Sequence, residues 1–221
     1  MNAAVMGIRI ENVILDVDGT LLDSKRDIAG AQLWVLTQLG VTAYRVEDLY
    51  RTIGRKLEDT FRDLLPPELH HRIPEAATMY RDYYRPRALE TTVLFPGVRE
   101  TLEELRSRGK NLAVATTKST FTTLRILSHF RLDQLFVQLQ GTDGVPYKPD
   151  PYIVNKIITD QTWRATDTLM VGDAREDMEA GKAAGLRTCG VTYGAVVRAE
   201  LEKLSPDFLI DRFNDLLRIT L

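Results

Sequence analysis

Short apolar runs alternating with helix-spaced apolar stripes narrow this chain to very few folds. The runs are Val13-Ile14-Leu15, Leu112-Ala113-Val114-Ala115, Leu135 to Leu139, Leu169-Met170-Val171, Cys189-Gly190-Val191 and Phe208-Leu209-Ile210. Each is too short for a helix, and near-continuous apolarity marks a strand covered on both faces. Between them, Val98, Leu102 and Leu105 follow Pro96-Gly97 at helix spacing and stop at Gly109. Further helices run through Leu124 and Leu127, then Ile153, Ile157 and Ile158 after Pro151, then Met178, Ala180, Ala183 and Ala184. This alternation predicts an α/β fold: a three-layer, doubly wound parallel sheet, with Phe208 to Ile210 at one edge.

One long helical interruption follows the first strand. It covers about 65 residues, a plausible size for a small inserted unit. Ile28, Ala31, Val35 and Leu39 make one helical stripe, stopped by Gly40. Leu57, Phe61, Leu64 and Leu65 make a second, ended by Pro66-Pro67. Ile73, Ala76, Ala77, Tyr80 and Tyr84 make a third, closed by Pro86. The expected organisation is a core of residues 1–22 and 90–221 with an inserted helical unit of residues 23–89.

A chain of 221 residues can bury a substantial core. Its net charge of −2 gives no reason to expect nucleic acid or an anionic membrane as partner. No run approaches 18 apolar residues, so no membrane span is expected. Met1 to Gly7 is too short for a secretory signal. The single cysteine, Cys189, allows no internal disulfide and fits a reducing compartment, the cytoplasm. Its apolar surroundings predict a buried, inert thiol. The oligomeric expectation is a monomer or a homodimer.

The chemistry-bearing residues lie just past the apolar runs. Asp16-Val17-Asp18-Gly19-Thr20 follows the first, and Thr116-Thr117-Lys118 the second. Lys148-Pro149-Asp150-Pro151 comes a loop after the third, and Gly172-Asp173-Ala174-Arg175-Glu176-Asp177 follows the fourth. In a parallel sheet these stretches converge at the carboxyl ends of the strands, where open α/β sheets bind ligands. Asp16 and Asp18 resist ionising together in a dry site. A divalent cation removes that conflict, and Mg²⁺ favours carboxylates combined with phosphate oxygens and water. Acids, a hydroxyl and a lysine at one edge suit phosphoryl transfer. Singly, each residue has a structural alternative. Thr116 would serve as a helix N-cap, Asp173 and Asp177 as caps of the next helix, and Lys148 as a solvated loop lysine.

Together, in this order, the four stretches resemble the four motifs of the haloacid dehalogenase-like hydrolase superfamily. The resemblance implies that Asp16 attacks phosphorus and forms an aspartyl-phosphate. It implies that Asp18 protonates the leaving oxygen and then activates the hydrolytic water. It implies Mg²⁺ held by Asp16, Asp173 and the Asp18 backbone carbonyl, with Asp177 either a ligand or the partner that orients Lys148. Thr116 would hydrogen-bond the phosphoryl group, and Lys148 would bridge it to the nucleophile. Asp18-Gly19-Thr20 favours phosphatase over dehalogenase chemistry, and Thr20 disfavours a mutase.

The insertion resembles the small α-helical cap of the subclass that includes phosphoglycolate phosphatases. Asp23-Ser24-Lys25-Arg26-Asp27-Ile28 and Thr52-Ile53-Gly54-Arg55-Lys56 carry this likeness. It implies a small phosphorylated metabolite as substrate, with Arg55, Thr116, Thr117 and Lys148 in contact with it. A pyrophosphatase and a β-phosphoglucomutase-like transferase are the enzymatic alternatives. A binding protein that keeps the fold without turnover is the non-enzymatic one. Leu15, Thr117, Asp150 and Ala174 depart from the family's usual residues, and none of them is a reacting group.

Overall fold

The computed structural model describes residues 9–220; Met1 to Gly7 lie outside them. Six parallel strands form the main sheet: β1 (Asn12–Leu15), β4 (Asn111–Ala115), β5 (Gln138–Gln140), β6 (Thr168–Gly172), β7 (Arg187–Val191) and β8 (Phe208–Ile210). Their order is β5-β4-β1-β6-β7-β8, so β8 is an edge as expected and β1 is central. A separate antiparallel pair joins β2 (Leu22–Asp23) to β3 (Val93–Leu94), with Leu22 opposite Leu94.

Side chains on the strands alternate between two apolar layers, as the pleat requires. Val13, Leu15, Leu112 and Val114 face one layer with Leu102 and Leu105 of α4 (Val98–Ser107) and Ile126 of α5 (Thr120–His129). Ile14, Ala113 and Met170 face the other with Ile153 and Ile157 of α6 (Tyr152–Asp160) and Ala180 of α7 (Arg175–Ala183). The fold is therefore the three-layer α/β arrangement expected from the alternation. Short helices α8 (Arg198–Lys203) and α9 (Leu216–Ile219) complete the C-terminal part.

Between β2 and β3 run α1 (Lys25–Gln38), α2 (Leu57–Leu64) and α3 (Ile73–Arg87), packed round an apolar cluster of their own that includes Val35, Leu36, Leu49, Phe61 and Ile73. Two 3-10 segments, Val46–Thr52 and Pro67–Arg72, connect them. The ends of the insertion are fastened together. The Asp27 carboxylate accepts hydrogen bonds from the backbone N–H and the hydroxyl of both Thr91 and Thr92, at 2.6–3.0 Å.

Two expectations need correction. The strand expected over Leu135 to Leu139 starts only at Gln138; Asp133–Leu135 is a 3-10 turn whose Leu135 packs into the core without joining the sheet. Helix α3 also continues one residue past Pro86, which sits near its end, where loss of one hydrogen bond costs least.

Cys189 is fully buried in β7, and burial pushes its thiol pKa well above the ordinary value. The native chain is therefore expected to resist iodoacetamide at neutral pH and to gain one adduct in denaturant, as read by intact mass. Labelling of the native chain at the denatured rate would contradict this burial. No helix among the described residues is long and apolar enough to cross a membrane.

Candidate active site

The carboxyl ends of β1, β4 and β6 bring the four motif stretches together. Asp16 follows β1 directly, and its N–H donates to the Val171 carbonyl of β6, which fixes the chain as it leaves the sheet. Asp16, Asp18, Thr116, Lys148, Asp173 and Asp177 are each between 1% and 6% exposed. Such burial is costly for charged groups and tolerable only with partners.

Lys148 is the shared partner. Its Nζ donates to Asp16 Oδ1 at 2.8 Å, to Asp177 Oδ1 at 2.5 Å and to the Ala115 carbonyl at 2.9 Å. All three ammonium protons are thereby used, and Lys148 is no solvated loop lysine. Burial acts to lower its pKa, but the two carboxylates outweigh this and hold it raised. Asp177 also accepts from the Ala174 N–H at 3.1 Å, so it closes the first turn of α7 while aligning Lys148.

Asp173 lies in a tight cradle. Its Oδ2 accepts the Ala195 N–H at 2.6 Å. A Cβ on Gly19 would lie 2.1 Å from Asp173 Oδ2, and one on Gly194 would lie 2.2 Å from the Asp173 Cβ. Gly19 also has φ +80°, a conformation that side chains disfavour. The two glycines let backbone approach the acid from both sides.

Oxygens of Asp16, Asp173 and Asp177 lie within 4.8 Å of one another. Burial pushes the Asp16 pKa up to about 7; Lys148 holds it back, while Asp177 and Asp18 add to the rise. Asp173 is raised for the same leading reason, burial, with Asp177 and Asp16 adding to it. Three buried carboxylates share one ammonium here. A compact divalent cation that prefers oxygen ligands fits this charge deficit and donor set.

Asp18 takes a different position. Its carboxylate stands outside that trio; only its backbone carbonyl was expected at the metal. Asp18 Oδ1 accepts from Ser24 Oγ at 2.5 Å, and Oδ2 lies 3.1 Å from Lys118 Nζ. It faces a cleft of about 330 Å³ between the helical insertion and the sheet edge, which Thr117, Lys118, Arg55, Arg81 and Arg85 also line. Arg55 pairs with Asp63 at 2.7 Å and borders this cleft and a neighbouring one of about 630 Å³ beside Lys148.

Thr116 does not cap a helix. The cap of α5 is Ser119, which accepts the Thr122 N–H, while Thr116 Oγ1 accepts the Lys118 N–H at 3.3 Å. Asp173 likewise precedes the cap position of α7, which is Ala174.

Sequence reasoning left Lys118 and Ser24 without a role. Lys118 sits two residues beyond Thr116 at the same strand end, and that position was its only signal. Ser24 follows Asp18 by six residues, and only the β2 turn brings them together.

A parallel sheet edge with paired acids, a buried lysine and a strand-end threonine has the groups that phosphoryl-transfer chemistry needs. The chain belongs to the haloacid dehalogenase-like hydrolases, whose family model matches residues 13–191. It is 32% identical over 213 residues to the pyrophosphatase PpaX of Bacillus mycoides, covering 96% of this chain and 97% of that relative. A haloacid dehalogenase-like family hydrolase from Streptococcus pneumoniae superposes with a TM-score of 0.88 at 25% identity, covering 96% of this chain and 99% of that one. A predicted phosphoglycolate phosphatase from Haemophilus somnus gives 0.84 at 27% identity, covering 96% and 98%.

Proposed function

We propose that this hydrolase is a Mg²⁺-dependent phosphatase that releases phosphate from a small phosphorylated metabolite through an aspartyl-phosphate on Asp16. The observation that carries this reading is Lys148 Nζ held between Asp16 and Asp177, with Asp173 alongside and Asp18 turned to the cleft. Asp16, Asp173 and Asp177 would hold the metal. When bound, Mg²⁺ supplies the positive charge that lets a carboxylate approach a phosphoryl group.

An Asp16 oxygen forms a bond to phosphorus as the bond from phosphorus to the leaving oxygen breaks. Asp18 gives its proton to that oxygen. Asp18 then takes a proton from water as the water attacks phosphorus, the Asp16–phosphorus bond breaks, and phosphate departs. Thr116 donates to a phosphoryl oxygen, and the nearby charge of Lys148 opposes the negative charge of the phosphoryl group. Residues 23–89 act as a cap domain over a core of 1–22 and 90–221, closing the cleft against bulk water.

Phosphoglycolate-like compounds lead the substrate classes, in keeping with the cap resemblance and the Haemophilus somnus structure. Pyrophosphate is the second reading, favoured by the Bacillus relatives. The test is phosphate release from phosphoglycolate, pyrophosphate, sugar phosphates and nucleotides, with Mg²⁺ and with chelator. Release from one class that chelator abolishes is the expected result. Isomerised sugar phosphate would indicate a mutase. Neither release nor Mg²⁺ binding would indicate the non-catalytic alternative.

A further inference from the structure

The cleft over Asp18 contains cationic groups that the reaction at Asp16 leaves unused. Four cations line it, Arg55, Arg81, Arg85 and Lys118, against two carboxylates, Asp18 and Asp143. Arg55 and Arg81 are engaged within the insertion by Asp63 and Glu58, both at 2.7 Å. Arg85, on the last turns of α3, has no carboxylate within 4.0 Å among the described residues and is exposed.

Lys118 is the opposite case, a side chain only 9% exposed. Its Nζ lies 3.1 Å from Asp18 Oδ2 and donates to Tyr84 Oη at 2.7 Å. An ammonium has three protons. Two are accounted for, and the third remains for a group in the cleft.

These positions matter because of where the reacting groups lie. Lys148 serves the Asp16 side, where the transferred phosphoryl group must sit. Asp18 marks the side from which the leaving group departs, and Lys118 and Arg85 are the cations there. We propose that the leaving group itself is a small anion, selected by Arg85 of the insertion and Lys118 of the core. The inference rests on the roles given above to Asp16 and Asp18. A cavity of about 330 Å³ is at the small end for ligand sites, which suits a compact anion. A carboxylate and a second phosphoryl group share this chemistry.

The test compares kcat/KM for three probes in Mg²⁺: pyrophosphate, phosphoglycolate and ethyl phosphate, whose leaving group has no charge of its own. The unaltered enzyme is expected to favour at least one anionic probe over ethyl phosphate by about ten- to a hundredfold, the size of one charge-assisted contact. Preference for phosphoglycolate identifies a carboxylate; preference for pyrophosphate identifies a phosphoryl group where Arg85→Gln lowers it, since phosphate is also the better leaving group.

Arg85→Gln is expected to shrink that ratio about tenfold or more, with Arg85→Lys restoring part of it. Arg85 is exposed, so its replacement does not threaten the fold. Ethyl phosphate cleaved as well as both anions would overturn the inference while leaving the phosphatase reading intact. An equal loss on all three probes in Arg85→Gln would also overturn it, because selection of an anionic leaving group by Arg85 requires the ratio to fall. Failure of the unaltered enzyme on every probe, without Mg²⁺ binding, would overturn the Asp16 reading and this inference with it.

Discussion

Asp16→Asn is expected to lower turnover by roughly a thousandfold or more while leaving the fold at least as stable. The two effects have separate causes. An amide cannot attack phosphorus as a carboxylate does, so the covalent step is lost. The amide keeps the size of the side chain and an oxygen that can still accept from Lys148 Nζ, now 2.8 Å from Asp16 Oδ1. It also removes one of three carboxylates that crowd a single ammonium, a site in which burial already pushes Asp16 up to about 7. Phosphate release and a thermal melt, both on the purified variant, check the two halves. Acid quenching with a substrate labelled at phosphorus adds a direct readout: protein-bound label in the unaltered enzyme and none in the variant. Near-normal turnover would remove Asp16 as nucleophile. Lost turnover with an equally lost melt would show that Asp16 is chiefly structural.

The core was legible because its strands are buried on both faces. Val13 to Leu15 and Leu169 to Val171 have no polar residue to blur the signal, and both are fully covered in the sheet. The edge was harder. β5 reads Gln-Leu-Gln and is only partly buried, so the apolar run before it drew the strand too early. The pair β2 and β3 has two residues on each side, too few for any period to register. It is set by long-range closure, with Asp27 fastening Thr91 and Thr92 across the insertion.

The site was legible to the extent that it follows strand ends. Asp16, Thr116 and Asp173 sit next to strands and arrive together once the sheet is parallel. Lys148 comes from a loop well beyond β5, and no spacing rule says that its Nζ reaches Asp16 and Asp177. The family resemblance separated the roles of the two first acids, but their spacing alone does not say that Asp16 joins the carboxylate trio while Asp18 meets Ser24 and Lys118. Lys118 has its meaning only through Tyr84 and Asp18, residues 34 and about a hundred positions away. Contacts of that kind leave no local trace in a sequence.

Lys148→Met should be the most destabilising single change at the site. Without its ammonium, Asp16, Asp173 and Asp177 remain buried with their oxygens within 4.8 Å of one another and no cation among them. Removing one partner of a buried ion pair costs about 3–5 kcal/mol, because the other charge is left uncompensated. For a chain of this size that lowers the melting temperature by on the order of 10 °C. The measurement is chemical denaturation in chelator, where no metal replaces the lost charge. Two companions separate charge from packing. Adding Asp177→Asn to Lys148→Met removes one stranded acid and is expected to recover part of the loss, so the two changes are not additive. Adding Mg²⁺ is expected to recover part as well, through binding to the folded chain alone. A Lys148→Met chain as stable as the parent in chelator would mean that the trio is protonated rather than charged. The ammonium would then be needed only for turnover.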